Sequence, residues 1–324
     1  MELVQLQDIN YPELRFEQFD CFIAACGYQP RCHFLAEKVS TSIVKKFLLT
    51  IDETDQKPSR CKHMEIFKRL GFKNYFTAIN ESKVIEDLIT EICNIQSAQL
   101  NILLDYSCMP KKWYALIIDS ISRNNFRSKN INLFLSYTPK LFERKPARNS
   151  IDYIGPMLFN KDNLRDKKPV SMIASLDNNN SYIMEAINKV KPQKLLAFIP
   201  KCAHDPEYTR LVIDNNKTLL DRLDNNSIIT YDANHPEEIN SILTSHCLDQ
   251  RISSEVLIVP QGPKTFSMIS LLLSVRYPDI KLWEIVIKNP KIDADHGLAA
   301  ANPIIVKVTF LHDEADLDEA DLED

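Results

Sequence analysis

The sequence predicts an α/β fold made of two tandem Rossmann-like units, each a parallel sheet flanked by helices. Two observations lead to this prediction. Short apolar runs bounded by turn residues alternate with longer segments of helical periodicity, which is the pattern of a parallel sheet covered by helices. The same succession begins again after the polar, basic stretch 160–168, so the two halves are predicted to be related by internal duplication.

The first half opens with the apolar run Phe-Ile-Ala-Ala-Cys, a predicted strand. The spacing of Val84, Leu88, Ile92 and Ile95 places these apolar residues on one helical face and predicts one of the helices of this half. The predicted strands of this half are 22–26, 46–51, 75–79, 100–105 and 131–135. The predicted helices are 31–39, 64–70, 83–96 and 112–121.

The second half repeats these elements about 150 residues further along the chain. Met-Ile-Ala-Ser-Leu-Asp matches Phe-Ile-Ala-Ala-Cys-Gly, and a helix is predicted after His235 because proline is favoured at the first helical position. Further strands are predicted at 195–199, 228–231, 258–260 and 281–285. The expected organisation is a first unit over 1–150, a linker over 151–168, a second unit over 169–312 and an acidic, disordered tail over 313–324.

The composition excludes several classes of protein. Hydrophobic residues make up 44% and charged residues 26% of the 324 residues, as in globular proteins rather than fibrous or low-complexity chains. Only five glycines are present, so neither a glycine-rich P-loop nor a GxGxxG fingerprint can be assembled. The commonest nucleotide-binding motifs are therefore excluded.

The net charge of −5 is concentrated at the end of the chain. The last twelve residues contain eight acids and no base, and such blocks are typical of solvated, disordered segments. A docking peptide for a basic partner is the alternative interpretation. The lysines and arginines of the rest of the chain are dispersed, and such a pattern does not favour nucleic-acid binding.

The cysteines and the N-terminus indicate a cytoplasmic protein. Eight cysteines in 324 residues are too sparse for a disulfide scaffold, and they lie in or beside apolar runs. The N-terminal residues show no basic region followed by an apolar stretch, and no apolar run approaches the ~18 residues of a membrane span. No contact with a membrane is expected.

The candidate sites are the loops after the first and fourth strands of each unit, because ligands of open parallel sheets bind beyond strand ends where the strand order reverses. In the second unit, Gly262 lies between two prolines and precedes Lys264 and Thr265 at a helix start. This loop suits a phosphate or a polarised carbonyl. The glycine allows a ligand to approach the backbone closely, the helix N-terminus and the lysine supply positive charge, and the threonine supplies a hydroxyl group. The alternative is a tight turn with a surface lysine. Asn178 and Asn180 offer amide groups for a base edge or ribose, or form a polar turn.

In the first unit the corresponding loops carry Gly27, Tyr28 and Arg31 after strand one, and Ser107 and Lys111 after strand four. Arginine can bind phosphate through two parallel hydrogen bonds; otherwise Arg31 is an ordinary exposed residue. Ser107 can cap the following helix, and Lys111 adds positive charge.

Enzymatic and metal chemistry receive less support. Asp105 and Asp177 end their strands, and either would supply the carboxylate of a hydrolase; the alternative for Asp105 is a structural acceptor for backbone N–H groups. The Cys32-His33 and Cys61-Lys-His63 sequences lack the spacers of structural zinc sites. No metal or cofactor is expected.

The segment Leu-Ile-Val-Pro-Gln-Gly-Pro-Lys-Thr-Phe-Ser-Met resembles the glycine-then-lysine or threonine loop after the fourth strand of CARF domains, the Rossmann-like sensors of cyclic oligonucleotides in prokaryotic antiviral systems. The SAVED domain, which looks like two fused CARF units, matches the duplication. The order of elements is similar over nearly the whole chain, whereas the motif match is confined to this segment. The family's usual Gly-Gly-Thr-Lys is Gln-Gly-Pro-Lys here. The resemblance implies a pocket formed by Tyr28, Arg31, Ser107, Lys111, Asn178, Asn180, Gly262, Lys264 and Thr265.

Together these features predict a nucleotide-binding sensor or regulatory subunit. The resemblance implies a cyclic oligonucleotide of antiviral defence as its ligand and a partner protein as its effector; a homodimer is a further option. The alternative is a nucleotide- or NAD-processing hydrolase of the same fold. A scaffold that binds no nucleotide is a third hypothesis.

Overall fold

The structure, a computed structural model, describes residues 1–39, 43–51, 57–78, 80–123, 130–142, 150–157, 164, 168–288 and 298–311. The chain divides into two compact units. Unit 1 consists of Met1–Thr138 together with Asp293–Asp324, and unit 2 is the continuous segment Pro139–Ile292. The predicted α/β fold class is confirmed, because each unit contains a mostly parallel sheet with helices.

Unit 1 is a seven-stranded sheet with four α-helices among the described residues. Its strands, numbered in chain order, are β1 (Glu2–Ile9), β2 (Cys21–Ala25), β3 (Lys45–Thr50), β4 (Lys73–Phe76), β5 (Gln99–Asp105), β6 (Asn130–Tyr137) and β13 (Ile304–Leu311). Its helices are α1 (Phe34–Val39), α2 (Pro58–Arg69), α3 (Glu81–Cys93) and α4 (Lys111–Arg123), with 3-10 turns at Tyr11–Phe16 and Pro30–His33. The strand order is β1-β13-β6-β5-β2-β3-β4.

The described part of unit 2 is a six-stranded sheet with five α-helices. Its strands are β7 (Ile151–Pro156), β8 (Val170–Ser175), β9 (Lys194–Lys201), β10 (Ile228–Asp232), β11 (Glu255–Pro260) and β12 (Lys281–Ile287). Its helices are α5 (Asn180–Val190), α6 (Pro206–Asn215), α7 (Lys217–Leu220), α8 (Pro236–Arg251) and α9 (Lys264–Arg276), with a 3-10 turn at Asn225–Ser227. The strand order is β10-β9-β8-β11-β12-β7.

The two sheets share one arrangement of parallel strands. In each unit the third, second, first, fourth and fifth parallel strands lie side by side, as β4-β3-β2-β5-β6 and as β10-β9-β8-β11-β12. An antiparallel strand follows the fifth strand in both sheets: β13 beside β6, and β7 beside β12. The common order fits an internal duplication, which itself stays a prediction.

The unit boundaries differ from those expected from the sequence. The segment expected to be a linker contains β7, which pairs with β12 of unit 2. The segment Ile304–Leu311, expected in the second unit, is β13 and lies between β1 and β6 of unit 1. Alternating apolar residues indicate a strand, but they carry no information on its pairing partner. The expected tail, 313–324, lies outside the described residues.

The central strands are hydrophobic because both of their faces are covered. All five residues of β2 are buried, and in β11 only the first residue is partly exposed. Helix α9 is also buried over most of its surface, so its sequence Phe-Ser-Met-Ile-Ser-Leu-Leu-Leu shows little amphipathic patterning. None of the described helices is both long and apolar enough to cross a membrane.

Candidate ligand-binding site

In unit 2 the strand order reverses between β8 and β11, and the loops that follow these strands meet there. The contact is close at Gly262: a Cβ atom at this position would lie 2.2 Å from Ser175 Oγ and 3.0 Å from both the Leu176 carbonyl oxygen and Tyr231 Oη. Ser175 and Tyr231 share a buried hydrogen bond of 2.9 Å. Burial raises the pKa of Tyr231 well above its usual value, so its phenol stays protonated. Glycine is therefore required here by packing.

The loop after β8 is held by local hydrogen bonds. Asp177 Oδ1 accepts the Asn179 N–H at 2.8 Å, and Asn179 Oδ1 accepts the N–H of Ser181 and thus caps α5. From the end of α6, Asn215 Nδ2 donates to the Asn178 carbonyl at 2.8 Å and Asn216 Nδ2 to the Asp177 carbonyl at 2.7 Å. These bonds fix the loop against two helices.

A pocket of about 290 Å³ opens beside these two loops. Its lining combines loop residues, three aromatic rings, one lysine and two isoleucines of β12. The lining residues are Lys140, Phe142, Asp177, Asn178, Asn179, Tyr182, Tyr208, Gln261, Gly262, Ile285 and Ile287. The pocket therefore offers an apolar wall, amide groups and charges of both signs, as small-molecule sites commonly do.

The aromatic wall is built around Phe142. Its ring stacks on Tyr208 with centroids 3.8 Å apart and planes 14° apart. The His204 ring lies 5.9 Å from the Phe142 ring at 28°. The Phe142 N–H donates to Asp205 Oδ2 at 2.9 Å, at the start of α6. Backbone and ring are thus both anchored to the same helix end.

The residues predicted in the two loops of unit 2 have different surroundings. Asn178 and Gly262 line the pocket, whereas Asn180 is exposed and donates from Nδ2 to the Asn215 carbonyl at 2.7 Å. Lys264 begins α9 directly after the glycine turn. Thr265 is buried, and its hydroxyl donates to the Ala233 carbonyl at 2.8 Å, so this hydroxyl serves the fold. Ligand binding by these residues stays a prediction.

In unit 1 the loop after β2 contacts the loop after β5. A Cβ atom at Gly27 would lie 2.8 Å from the Cβ of Cys108. The Tyr28 ring faces the Lys57 ammonium group, which lies 4.6 Å from the ring centroid. Lys111 is the half-buried first residue of α4.

Arg31 is buried rather than exposed, with 4% of its surface accessible. Its guanidinium group donates to the carbonyl oxygen of Thr138 and to Gln29 Oε1, and it lies 5.5 Å from the Tyr137 ring centroid. The side chain thus extends from the loop after β2 to the end of β6. These contacts hold the guanidinium group inside the fold, so its geometry is that of a structural residue.

Asp105 and Ser107 form a buried network at the end of β5. Asp105 Oδ1 accepts the Ser107 N–H at 2.9 Å and also the Ser107 hydroxyl, while Ser107 Oγ accepts the Thr138 N–H at 2.7 Å. Both side chains are buried. This is the structural role of a strand-end aspartate, the alternative to a catalytic base.

A second depression, of about 390 Å³, lies in unit 1 at the ends of β3 and β4 and the starts of α3 and α4. Glu81 and Lys112 form an ion pair at its edge, and Trp113 Nε1 donates to Glu81 Oε1 at 2.8 Å. It contains none of the residues predicted from the sequence. Across the described residues, no three His, Cys, Asp or Glu side chains are grouped so as to hold a metal ion.

We predict that unit 1 loses stability in mild acid through His63. The buried His63 ring hydrogen-bonds to the Gly27 carbonyl at 3.0 Å. Burial lowers the pKa of His63, aided by nearby His33 and Lys62, and outweighs the opposite effect of the hydrogen bond to Gly27. The folded state thus binds this proton less readily than the unfolded state. Protonation of His63 therefore leaves the free energy of unfolding unchanged above about pH 6.5 and lowers it as the pH falls below that value, by up to ~1.4 kcal/mol per pH unit.

This prediction can be measured by thermal melts between pH 7.5 and 5.5. We expect the melting temperature of wild type to fall more steeply than that of His63→Gln. The same substitution at the exposed His235 is the control and should follow wild type. Equal slopes for wild type and His63→Gln would refute the role of His63.

Sequence reasoning did not identify the aromatic wall. Phe142, Tyr182 and Tyr208 come from three segments separated by up to 66 residues and meet only in the folded unit. Lys140, which also lines the pocket, is not among the residues that the sequence predicts to bind a ligand. No protein-family description and no curated protein sequence matches the chain.

Proposed function

We propose that the protein binds a nucleotide-type small molecule in the pocket of unit 2 and acts as a sensor or regulatory subunit for a partner protein. One observation carries the proposal. The loops after the first and fourth parallel strands meet at the point where the strand order reverses, and they border a pocket with an aromatic wall. Such a point is where open α/β sheets bind ligands.

The lining groups suit the parts of a nucleotide. Lys140 supplies a positive charge for a phosphate, and Asn178 and Gln261 supply amide donors and acceptors for a base edge or a ribose. Aromatic rings provide faces on which a base stacks. The resemblance to CARF and SAVED domains supports three further parts of the proposal: the ligand is a cyclic oligonucleotide, the protein acts in antiviral defence, and its partner is an effector protein.

A nucleotide hydrolase is the second candidate, because Asp177 lines the pocket. Its Oδ1 atom accepts the Asn179 N–H, which positions the carboxylate at the pocket wall. Asp105, the other carboxylate considered, is buried within the Ser107 network. Of the two, Asp177 is therefore the residue to test for hydrolysis.

The proposal is tested by a thermal-shift screen of the full chain against mononucleotides, NAD and cyclic di-, tri- and tetranucleotides. A ligand that binds only the folded state raises the melting temperature. Chromatography of each ligand afterwards separates the two functions: an intact ligand supports a sensor, and a cleaved one supports a hydrolase. A screen in which no nucleotide raises the melting temperature would argue for a scaffold.

We predict that Lys140→Gln weakens nucleotide binding about 10- to 150-fold, the range for loss of a hydrogen bond to a charged group. Calorimetry against the best ligand of the screen measures the change. Lys217→Gln is the matched control, because Lys217 is exposed, pairs with Asp221 and lies outside the pocket. Equal affinities of the two variants for the nucleotide would show that Lys140 does not contribute to binding.

A further inference from the structure

We infer that the pocket of unit 2 takes a single nucleoside phosphate unit, with its base stacked on the ring of Phe142. The inference rests on the proposed function and specifies the ligand. Three properties of the structure support it: the size of the pocket, the anchoring of Phe142, and the different structure of the equivalent region in unit 1.

The size of the pocket suits a single nucleotide. Its volume of about 290 Å³ lies just below the ~300–1,000 Å³ typical of small-molecule pockets. One base with its sugar and phosphate is a ligand of this scale. A cyclic oligonucleotide would place one of its nucleotides in the pocket and the others outside it.

Phe142 is prepared for stacking. The ring is half-buried, one of its faces is stacked on Tyr208, and it still lines the pocket. The ring contact with His204 and the hydrogen bond from its N–H to Asp205 hold it in place. Since the ring is already ordered, a base that extends this stack loses little affinity to side-chain ordering.

The polar groups of the pocket lie on the loops that border this wall. Asn178, Asn179 and Gln261 follow β8 and β11, and Lys140 is two residues before Phe142. The aromatic face suits the planar base, the amides suit the base edge or the sugar, and the ammonium group suits the phosphate.

The equivalent strand-end loops of unit 1 are arranged differently among the described residues. There the Arg31 side chain extends from the loop after β2 to the Thr138 carbonyl and packs on Tyr137, at the end of the fifth parallel strand. In unit 2 the corresponding strand end contributes Ile285 and Ile287 to the pocket lining. We therefore expect that, of these two sets of strand-end loops, only the set in unit 2 binds a nucleotide.

The test is calorimetry on the full chain with AMP, GMP, CMP, UMP, ribose 5-phosphate, cyclic di-AMP and cyclic tri-AMP. The variants are Phe142→Leu, which removes the aromatic face but keeps an apolar side chain, and Phe142→Trp, which enlarges the face. Phe16→Leu is the control, because Phe16 is a largely exposed aromatic residue of unit 1. Melting curves of each variant verify folding.

We expect at least one mononucleotide to bind wild type with a stoichiometry of one. Phe142→Leu should weaken it roughly 5- to 150-fold, the effect of losing one base stack, while Phe142→Trp and Phe16→Leu should bind at least as well as wild type. Ribose 5-phosphate, which has no base, should bind Phe142→Leu and wild type equally.

The outcomes separate this inference from the function on which it rests. Mononucleotide binding that is unchanged in both Phe142 variants would overturn the stacking and leave the proposed function standing. Binding of the cyclic compounds alone, with no mononucleotide bound, would overturn the single-nucleotide ligand. No binding of any nucleotide would overturn the proposed function itself.

Discussion

A chain that ends at Ile292 is expected to lose the fold of unit 1 while unit 2 stays folded. Such a chain lacks β13, which pairs with both β1 and β6. It also removes four buried side chains from the core of unit 1, namely Ile305, Val306, Val308 and Phe310. Burying side chains of this kind contributes about 6–12 kcal/mol in total, which is comparable with the ~5–15 kcal/mol by which whole domains are stable.

Hydrogen–deuterium exchange followed by mass spectrometry measures this effect strand by strand. In the chain ending at Ile292, amides of β2, β5 and β6 should exchange rapidly, whereas those of β8, β9 and β11 should stay protected, because unit 2 is continuous in sequence. A chain ending at Leu311 keeps β13 and is the control. Protected β5 and β6 amides in the shorter chain would show that β13 is dispensable.

The second large effect is expected for Gly262→Ala. The added Cβ would lie 2.2 Å from Ser175 Oγ and 3.0 Å from the Leu176 carbonyl, so the loops after β8 and β11 must move apart. Overpacking of this kind costs about 1–3 kcal/mol, which lowers the melting temperature of a domain of this size by several degrees. Nucleotide binding should fall as well, because both loops line the pocket.

Gly155→Ala is the matched control for this substitution. A Cβ at Gly155 would also meet a neighbour closely, at 2.5 Å, but that neighbour is the ring end of Tyr153. Tyr153 is 44% exposed, so its side chain can turn away at little cost. Differential scanning calorimetry should show a clear loss of stability for Gly262→Ala and a small one for Gly155→Ala; equal melting temperatures would contradict the packing argument.

Much of the fold could be predicted from local patterns. The predicted strand 22–26 lies within one residue of β2, and the helix predicted after His235 begins at Pro236. These elements depend on neighbouring residues, because apolar periodicity and turn residues act within a few positions of the chain. The loops that border the pocket of unit 2 were also located in this way, through Asp177, Asn178 and Gly262.

Other features depend on contacts between distant segments. Thr265 and Arg31 carry groups suited to a ligand, yet Ala233 and Thr138 accept their hydrogen bonds inside the fold. Nothing near Phe142 in the sequence indicates that its ring stacks on Tyr208. A side chain's chemistry is a property of the residue, whereas its partners depend on how the whole chain packs.

The sequence alone therefore determined the α/β class, most of the strands and helices, and two of the loops at the site. The tertiary structure decided that β13 completes unit 1 and β7 completes unit 2, and that an aromatic wall borders the loops after β8 and β11. The physical reason is the separation along the chain over which each interaction acts. Periodicity, capping and turn chemistry act over a few residues, but strand pairing and pocket formation join residues that are far apart in the chain.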